Sequence, residues 1–372
     1  MLDSLFGIRL VLLVGPTVPL PPSSDVMNQL SRVEVTNDSS TGDGFQLSFV
    51  CGRSSLADYD LIQSGTFDPM TRVIIGVVFG VLPEVLIDGV VTHSQFNPGN
   101  VPGQATFTVT GKDLTTTMDL EEKNASYENQ PDFVIVTSVL ANYARYGIAP
   151  MPTPTTDVPI MIERIPRQQE TDLKFIQRLA TRNGFVFYLE PVTFGVSTAY
   201  WGPENRLGLP QPALTIDQGS STNVKSINFA NDALAATGTR GVFVEPFTKM
   251  AIPIPQLPSL KVPPLVSSPA TPLRTTLQRD TANQNPATAA TRMLAAATNT
   301  TDPATAEGEV DGVRYGNALR ARKLVGVRGA GLTHDGFWYV KRVTHAIARG
   351  EYTERFSLSR EGTGTLTPVV RP

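Results

Sequence analysis

Three histidines, His93, His334 and His345, are the only imidazoles in the chain. A pair of them with a carboxylate such as Asp335 has the donor types for a metal ligand set or a general base. The spacing argues against both uses, because no HExxH or comparable pattern occurs and loose matches of this kind arise by chance. His93 and His345 each sit in a β-hairpin context, where a histidine satisfied by its neighbours is the commoner arrangement. Cys51, after Phe49-Val50, would need a setting that lowers its pKa to serve as a nucleophile, and it reads as a small buried apolar residue.

The remaining candidates follow the same logic. Glu121, Glu122, Glu163 and Asp172 are the carboxylates a glycosidase would need, but they fall near helix starts and in polar stretches, where they complement the helix dipole or face water. Gly326, Gly329 and Gly331 form a glycine-rich turn with no helix signal behind it to hold phosphate, so it reads as a loop between strands. Arg320, Arg322, Lys323 and Arg328 form either a local basic patch for an acidic partner subunit or a solvated face, with the solvated face preferred. Tyr200-Trp201 could stack on sugar, which supports a carbohydrate-binding or adhesive β-protein as the second reading; aromatics make up only 8% and fall mainly at core-like positions. No catalytic, cofactor-binding or metal-ligating residue is therefore expected, and the chain is not expected to be an enzyme.

These residues must be positioned by several modules, since 372 residues exceed one ordinary compact domain. Apolar residues at 41% and charged residues at 17% are enough for real cores. With 34 acids against 31 bases, bulk charge attracts neither nucleic acid nor anionic lipid. A single cysteine removes the case for a disulfide-stapled secreted domain and fits a reducing compartment. At the N-terminus, Asp3 and Arg9 spoil a signal peptide and the apolar run Ile8 to Val14 is too short to cross a bilayer, so it is expected to form a first strand ending at Gly15-Pro16.

The first third reads as β-rich: Gln46 to Cys51, Arg72 to Gly80, Glu84 to Val91 and Gln104 to Gly111. Ala105, Phe107 and Val109 alternate with Thr106, Thr108 and Thr110, the pattern of a half-buried strand, predicted to pair with Glu84 to Val91. The period then becomes helical. Phe133, Val136, Leu140 and Tyr143 predict one helix ending at Gly147; Leu173, Ile176, Leu179 and Ala180 predict another, capped by Thr171 and stopped by Gly184, followed by a strand at Phe185 to Leu189. Strands resume at Ala213 to Ile216 and Gly241 to Val244. Pro246 to Pro272 is too proline-rich for regular structure and is expected to be a connector or arm, and Thr275 to Thr300 is expected to be mobile, with one short helix around Ala287 to Ala297. The clearest hairpin runs Phe337 to Ile347, turns at Arg349-Gly350-Glu351 and returns over Tyr352 to Arg360. Val91-Thr92-His93 and Val343-Thr344-His345 open similar hairpins, which suggests an internal duplication.

Three segments carry a family resemblance: Glu170 to Phe185 (ETDLKFIQRLATRNGF), Val343 to Arg360, and Val85-Leu86-Ile87-Asp88-Gly89-Val90-Val91 with the Thr-rich strand to Gly111-Lys112-Asp113-Leu114. In their order over most of the chain they resemble the late control protein D family, the hub proteins of contractile phage tails, and the N-terminal hub portion of the VgrG spikes of type VI secretion. The opening Leu10 to Pro22 and the Pro-rich connector look more like hubs of extracellular contractile injection systems.

The resemblance implies a mainly β chain with an α/β insertion (α+β) and two tube-like β-barrel domains. It implies a homotrimer forming a pseudo-sixfold ring between a hexameric tail tube and a trimeric spike. Residues 1–112 would be the first barrel, 113–212 an inserted α/β domain, 213–245 with 312–362 a discontinuous second barrel, 246–311 an insertion and 363–372 a tail. Neither an OB-fold nor β-helix repeats follow Gly362, so the spike is expected to be a separate chain. The implied partners are that spike, the inner tube protein and other baseplate subunits, with no nucleic acid, membrane insertion or cofactor. Assembly is expected in the bacterial cytoplasm, in the baseplate of a phage-tail-like particle.

Overall fold

Alternation of apolar with hydroxyl-bearing and charged side chains dominates the architecture. The computed structural model describes residues 8–16, 18–52, 59–80, 82–101, 103–155, 157, 159, 165–244, 250–254, 259–278 and 286–366. A twelve-stranded sheet runs through both β-rich regions. Its main path is Ile8–Gly15, Arg72–Phe79, Leu82–Asn97, Ala105–Asp113, Gly44–Cys51, Leu30–Asp38, Gly336–Ala348, Glu351–Arg360, Ala304–Asp311 and Val224–Asn231. Every step along this path is antiparallel. Off the path, Gln211–Thr215 lies parallel to Leu324–Arg328, which pairs with the start of Gly336–Ala348.

The fold is thus mainly β with helices added, but the two expected tube-like barrels are halves of one sheet. Leu30–Asp38 pairs with Gly336–Ala348 from Arg32↔Ala348 to Asp38↔Arg342 and joins them, and among the described residues the path does not close on itself. Sequence periodicity identifies which strands have a buried face but carries no information on which distant strand each one adopts as neighbour.

Core packing follows the alternation. Phe45, Leu47 and Phe49 meet Phe107 and Val109 under the first half, together with Val73, Ile75 and Leu86. Trp338, Val340, Val343, Phe356 and Leu358 pack with Leu214, Val310 and Val325 under the second. A third core lies where the helical period predicts it. The helices Asp132–Ala141 and Asp172–Asn183 bury Ile135, Val136, Leu140, Phe175, Ile176 and Leu179 with Leu189 and Trp201 of a three-stranded sheet, Val186–Thr193, Val196–Gly202 and Ile148–Pro152. Thr171 caps the second helix through Lys174 N, and Gly184, at φ 68°, turns the chain out of it in the left-handed conformation open to glycine.

The region expected to lack structure is partly regular. Ala251–Ile254 pairs with Thr237–Val244, and Val266–Pro269 pairs with Gly362–Thr365. Both are edge strands, where a proline's missing N–H costs no ladder bond, so Pro253 and Pro269 are accommodated. Thr237–Val244 also takes Arg274–Gln278 as a parallel neighbour. The predicted short helix spans Pro286–Thr298, and its Ala289, Met293 and Ala295 are buried; it packs against Asp172–Asn183. Most of the expected tail, 367–372, lies outside the described residues, as do Met1 to Gly7.

Candidate functional site

The face of the large sheet opposite its cores is polar. Directly opposed residues form rows across the strands: Thr110, Gln46, Glu34 in one, and Thr36, Thr344, Arg355, Glu309 in another. The second row crosses the junction of the halves, where Thr36 and Thr344 share a 3.0 Å hydrogen bond. Ion pairs on this face join Arg32 with Glu34, and Lys225 and Arg355 with Glu309. Hydroxyls, amides and balanced charges make a wettable wall rather than a sticky one.

His345 lies at the other extreme. It is fully buried, its Nδ1 3.0 Å from both Glu354 Oε1 and Tyr352 Oη, while Tyr352 donates to the same carboxylate at 2.7 Å. Leu319 N adds a third bond to Glu354. The geometry resembles a general-base dyad, but no substrate reaches a group sealed in a core. His93, its counterpart in the first hairpin, is exposed. The irregularity in that strand falls between Val91 and His93, while in the second it falls earlier, between Val340 and Arg342, so the two histidines point to opposite faces. His334 is elsewhere again, stacked on Phe229 at 4.5 Å, its imidazole pushed below the ordinary pKa by partial burial and by Arg360. The three histidines are never brought together.

Other sequence candidates are also accounted for. Cys51 is buried and its thiol is pushed up by desolvation, the inert arrangement. Asp172 is buried and bonded to Lys123, Tyr143 Oη and Gln168, whereas Glu121 and Glu122 are exposed and Glu163 lies outside the described residues. Among the described residues these candidates form no carboxylate pair. Trp201 is fully buried, its Nε1 donating to Ile176 O and its ring edge-to-face with Phe185, so it offers no face to a sugar. Gly329 and Gly331, both at positive φ, turn the chain between the strands Leu324–Arg328 and Gly336–Ala348, whereas Gly326 lies within the first of these strands, paired with Phe337, and not in the turn read from sequence.

The basic cluster is where the structure departs most from the sequence reading. Arg322 is only 4% exposed, not solvated. It pairs with both oxygens of Asp43, donates to Asp38 O at 2.6 Å, and lays its guanidinium 4.5 Å from the Tyr188 ring of the α/β lobe. Arg320 bonds Glu84 and Val85 O; Arg328 donates to Thr215. Only Lys323 stays exposed, near Glu190. These residues face inward because three lobes meet there, a proximity that local sequence does not encode. Arg72, unnoticed in the sequence, does the same work nearby: it grips Asp88 at 2.8 and 2.6 Å and donates to Tyr146 O and Gly195 O across the lobe boundary. Burial pushes Asp88 up despite this partner. Between these clamps lies an open cleft of about 470 Å³ bounded by Glu84, Glu190, Arg320 and Lys323, whose charges are spent on one another.

No protein-family model matches the sequence, and no curated protein does either. Solved structures match over nearly the whole chain. A tail protein of Neisseria meningitidis MC58 superposes with a TM-score of 0.64 at 13% identity, covering 96% of this chain and 98% of that one. The 43 kDa tail protein of prophage MuSo2 from Shewanella oneidensis gives 0.60 at 15%, covering 95% and 98%. The fold is therefore that of phage tail proteins. It extends to secretion machines: an E. coli component of the type VI secretion system, described as structurally similar to the phage T4 tail proteins gp27 and gp5, gives 0.55 at 14%, covering 92% of this chain and 78% of that one. A chain of a Francisella PdpA–VgrG complex gives 0.55 at 9%, covering 98% of this chain and 60% of that one.

Proposed function

We propose that this chain is the structural hub subunit of a contractile baseplate, acting as a homotrimeric, pseudo-sixfold adaptor between a hexameric tail tube and a trimeric spike supplied by a separate chain. The observation that carries the reading is the strand path. Ten strands in antiparallel succession leave Ile8–Gly15 and Val224–Asn231 running in opposite directions at its two ends. Among the described residues neither has a second partner strand, apart from the bridge of Val14 to Leu20. An end-to-end neighbour would therefore continue the antiparallel order, and three copies would close a ring in which each contributes two similar halves. Open apolar edges such as Leu10-Val11-Leu12-Leu13 are a liability unless covered.

On this reading residues 1–112 and 213–245 with 312–362 supply the ring, 113–212 its outer α/β lobe and 246–311 a peripheral insertion, and the Thr-rich face lines the bore. The particle is assembled in the bacterial cytoplasm with tube, spike and other baseplate subunits. Its work is rigid docking without bond chemistry, a reading supported by the burial of His345, Cys51 and Asp172.

The test is the mass in solution by light scattering, for the protein alone and mixed with its spike and tube proteins. A trimer, alone or on adding spike, is expected. In the edge variant Val11→Lys/Leu13→Lys, two residues outside the main core, the trimer should be lost while the melting temperature of the monomer holds. A monomer indifferent to both partners would sink the reading.

A further inference from the structure

The meeting point of the three lobes contains more buried acid than cation. Asp43 and Asp113 are 5% and 6% exposed, from the turn after Leu30–Asp38 and from the end of Ala105–Asp113. Their backbones are joined by Asp113 N to Asp43 O at 3.1 Å. The one cation buried with them, Arg322, commits both terminal nitrogens to Asp43 and one of them also to Asp38 O; its Nε has no partner. Asp113 is left with the Thr115 hydroxyl alone among side chains. Other charged and titratable groups around Arg322 do not relieve it: Lys323 is exposed on Glu190, Asp38 serves Ser40 and Thr41, and Tyr188 stacks on the guanidinium.

We infer that the Arg322–Asp43–Asp113 cluster is a proton-operated lock on the lobe junction, closed when Asp113 carries a proton and loosened when it gives the proton up. With Asp113 neutral, one carboxylate faces one guanidinium. Ionised, it adds a second negative charge in a dry site beside Asp43 with no cation touching it, and the strain falls on the contacts joining Arg322 to the first half and to Tyr188. The site is placed to transmit this, since Asp113 is the residue from which the chain enters the α/β lobe and Arg322 is held at φ 64°, a left-handed backbone that a non-glycine residue adopts only when its surroundings impose it. Desolvation first, then Asp43, pushes Asp113 up to about 7, which puts the transition at neutral pH. The sign follows: between about pH 4 and 7 the native state keeps a proton that the unfolded chain releases, so stability falls as pH rises through that window. The inference stands apart from the hub reading.

The experiment is thermal unfolding of the full chain from pH 5.5 to 8.5, in wild type and Asp113→Asn. Wild type should lose about 5 °C across this range relative to the variant, which should be flatter and the more stable at pH 8.5. Hydrogen exchange in Val186–Gly202, corrected for its intrinsic pH dependence, should accelerate at pH 8.5 in wild type only. Equal slopes in the two proteins overturn the lock. Should the variant not fold, carboxyl NMR of aspartate-labelled wild type decides: one aspartate titrating near 7 supports it, and all titrating below 5 overturns it.

Discussion

Thr36 and Thr344, 308 residues apart, donate and accept one 3.0 Å hydrogen bond at the line where the two halves of the sheet meet. Around it the seam is held by seven opposed residue pairs from Arg32↔Ala348 to Asp38↔Arg342. A chain end and a chain beginning are thereby fused into one wall, and the stability of each half depends on the other.

Arg72 should be the most sensitive of the exposed-looking cations. Arg72→Met strands the buried Asp88 and frees two carbonyls of the α/β lobe, and a loss of about 3–5 kcal/mol is expected in denaturant unfolding. Arg72→Met/Asp88→Asn should recover a large part of it, because the uncompensated charge, not the missing contact, dominates the cost.

Tyr352→Phe removes one donor from Glu354 and one partner from His345 in a fully buried network. About 1–3 kcal/mol of stability should be lost. Any partner binding should survive per folded molecule, since the network touches no surface; a loss of assembly with unchanged stability would contradict its structural assignment.

Gly111→Ala should destabilise the sheet. A Cβ at this position meets the Phe45 ring and Val90 O, both locked in the sheet. Gly308→Ala meets Phe356 and Ser226 O in the second half and should behave alike. Overpacking costs typically about 1–3 kcal/mol, and two flanking contacts put each variant at the upper end by circular dichroism melting.

Acid should weaken the molecule through Asp302. Burial raises its pKa, but Lys261 at 2.7 Å, with Lys341 and Ser359, more than reverses this and holds the group below its ordinary value. Below about pH 4 the unfolded chain takes up a proton that the native state resists, so the contribution is present above that pH and lost on acidification. Lys261→Met should lower stability at pH 7 by about 3 kcal/mol and shrink the acid-dependent part below pH 4.

Much of the fold was legible in local patterns. The Ala105-Phe107-Val109 alternation defined a half-buried strand, Leu173-Ile176-Leu179 a helix face, and Thr171 and Gly184 its two ends, because period, cap and left-handed stop are properties of neighbouring residues. The absence of a motif at His93, His334 and His345 was legible for the same reason. Only the tertiary structure decided that Leu30–Asp38 pairs with Gly336–Ala348, that His345 turns inward while His93 faces water, and that Arg322, in a run that reads as a solvated face, closes on Asp43 beside Asp113. Those outcomes depend on bulge position and on which lobes meet, and the free energy that fixes them comes from burial and desolvation among residues hundreds of positions apart.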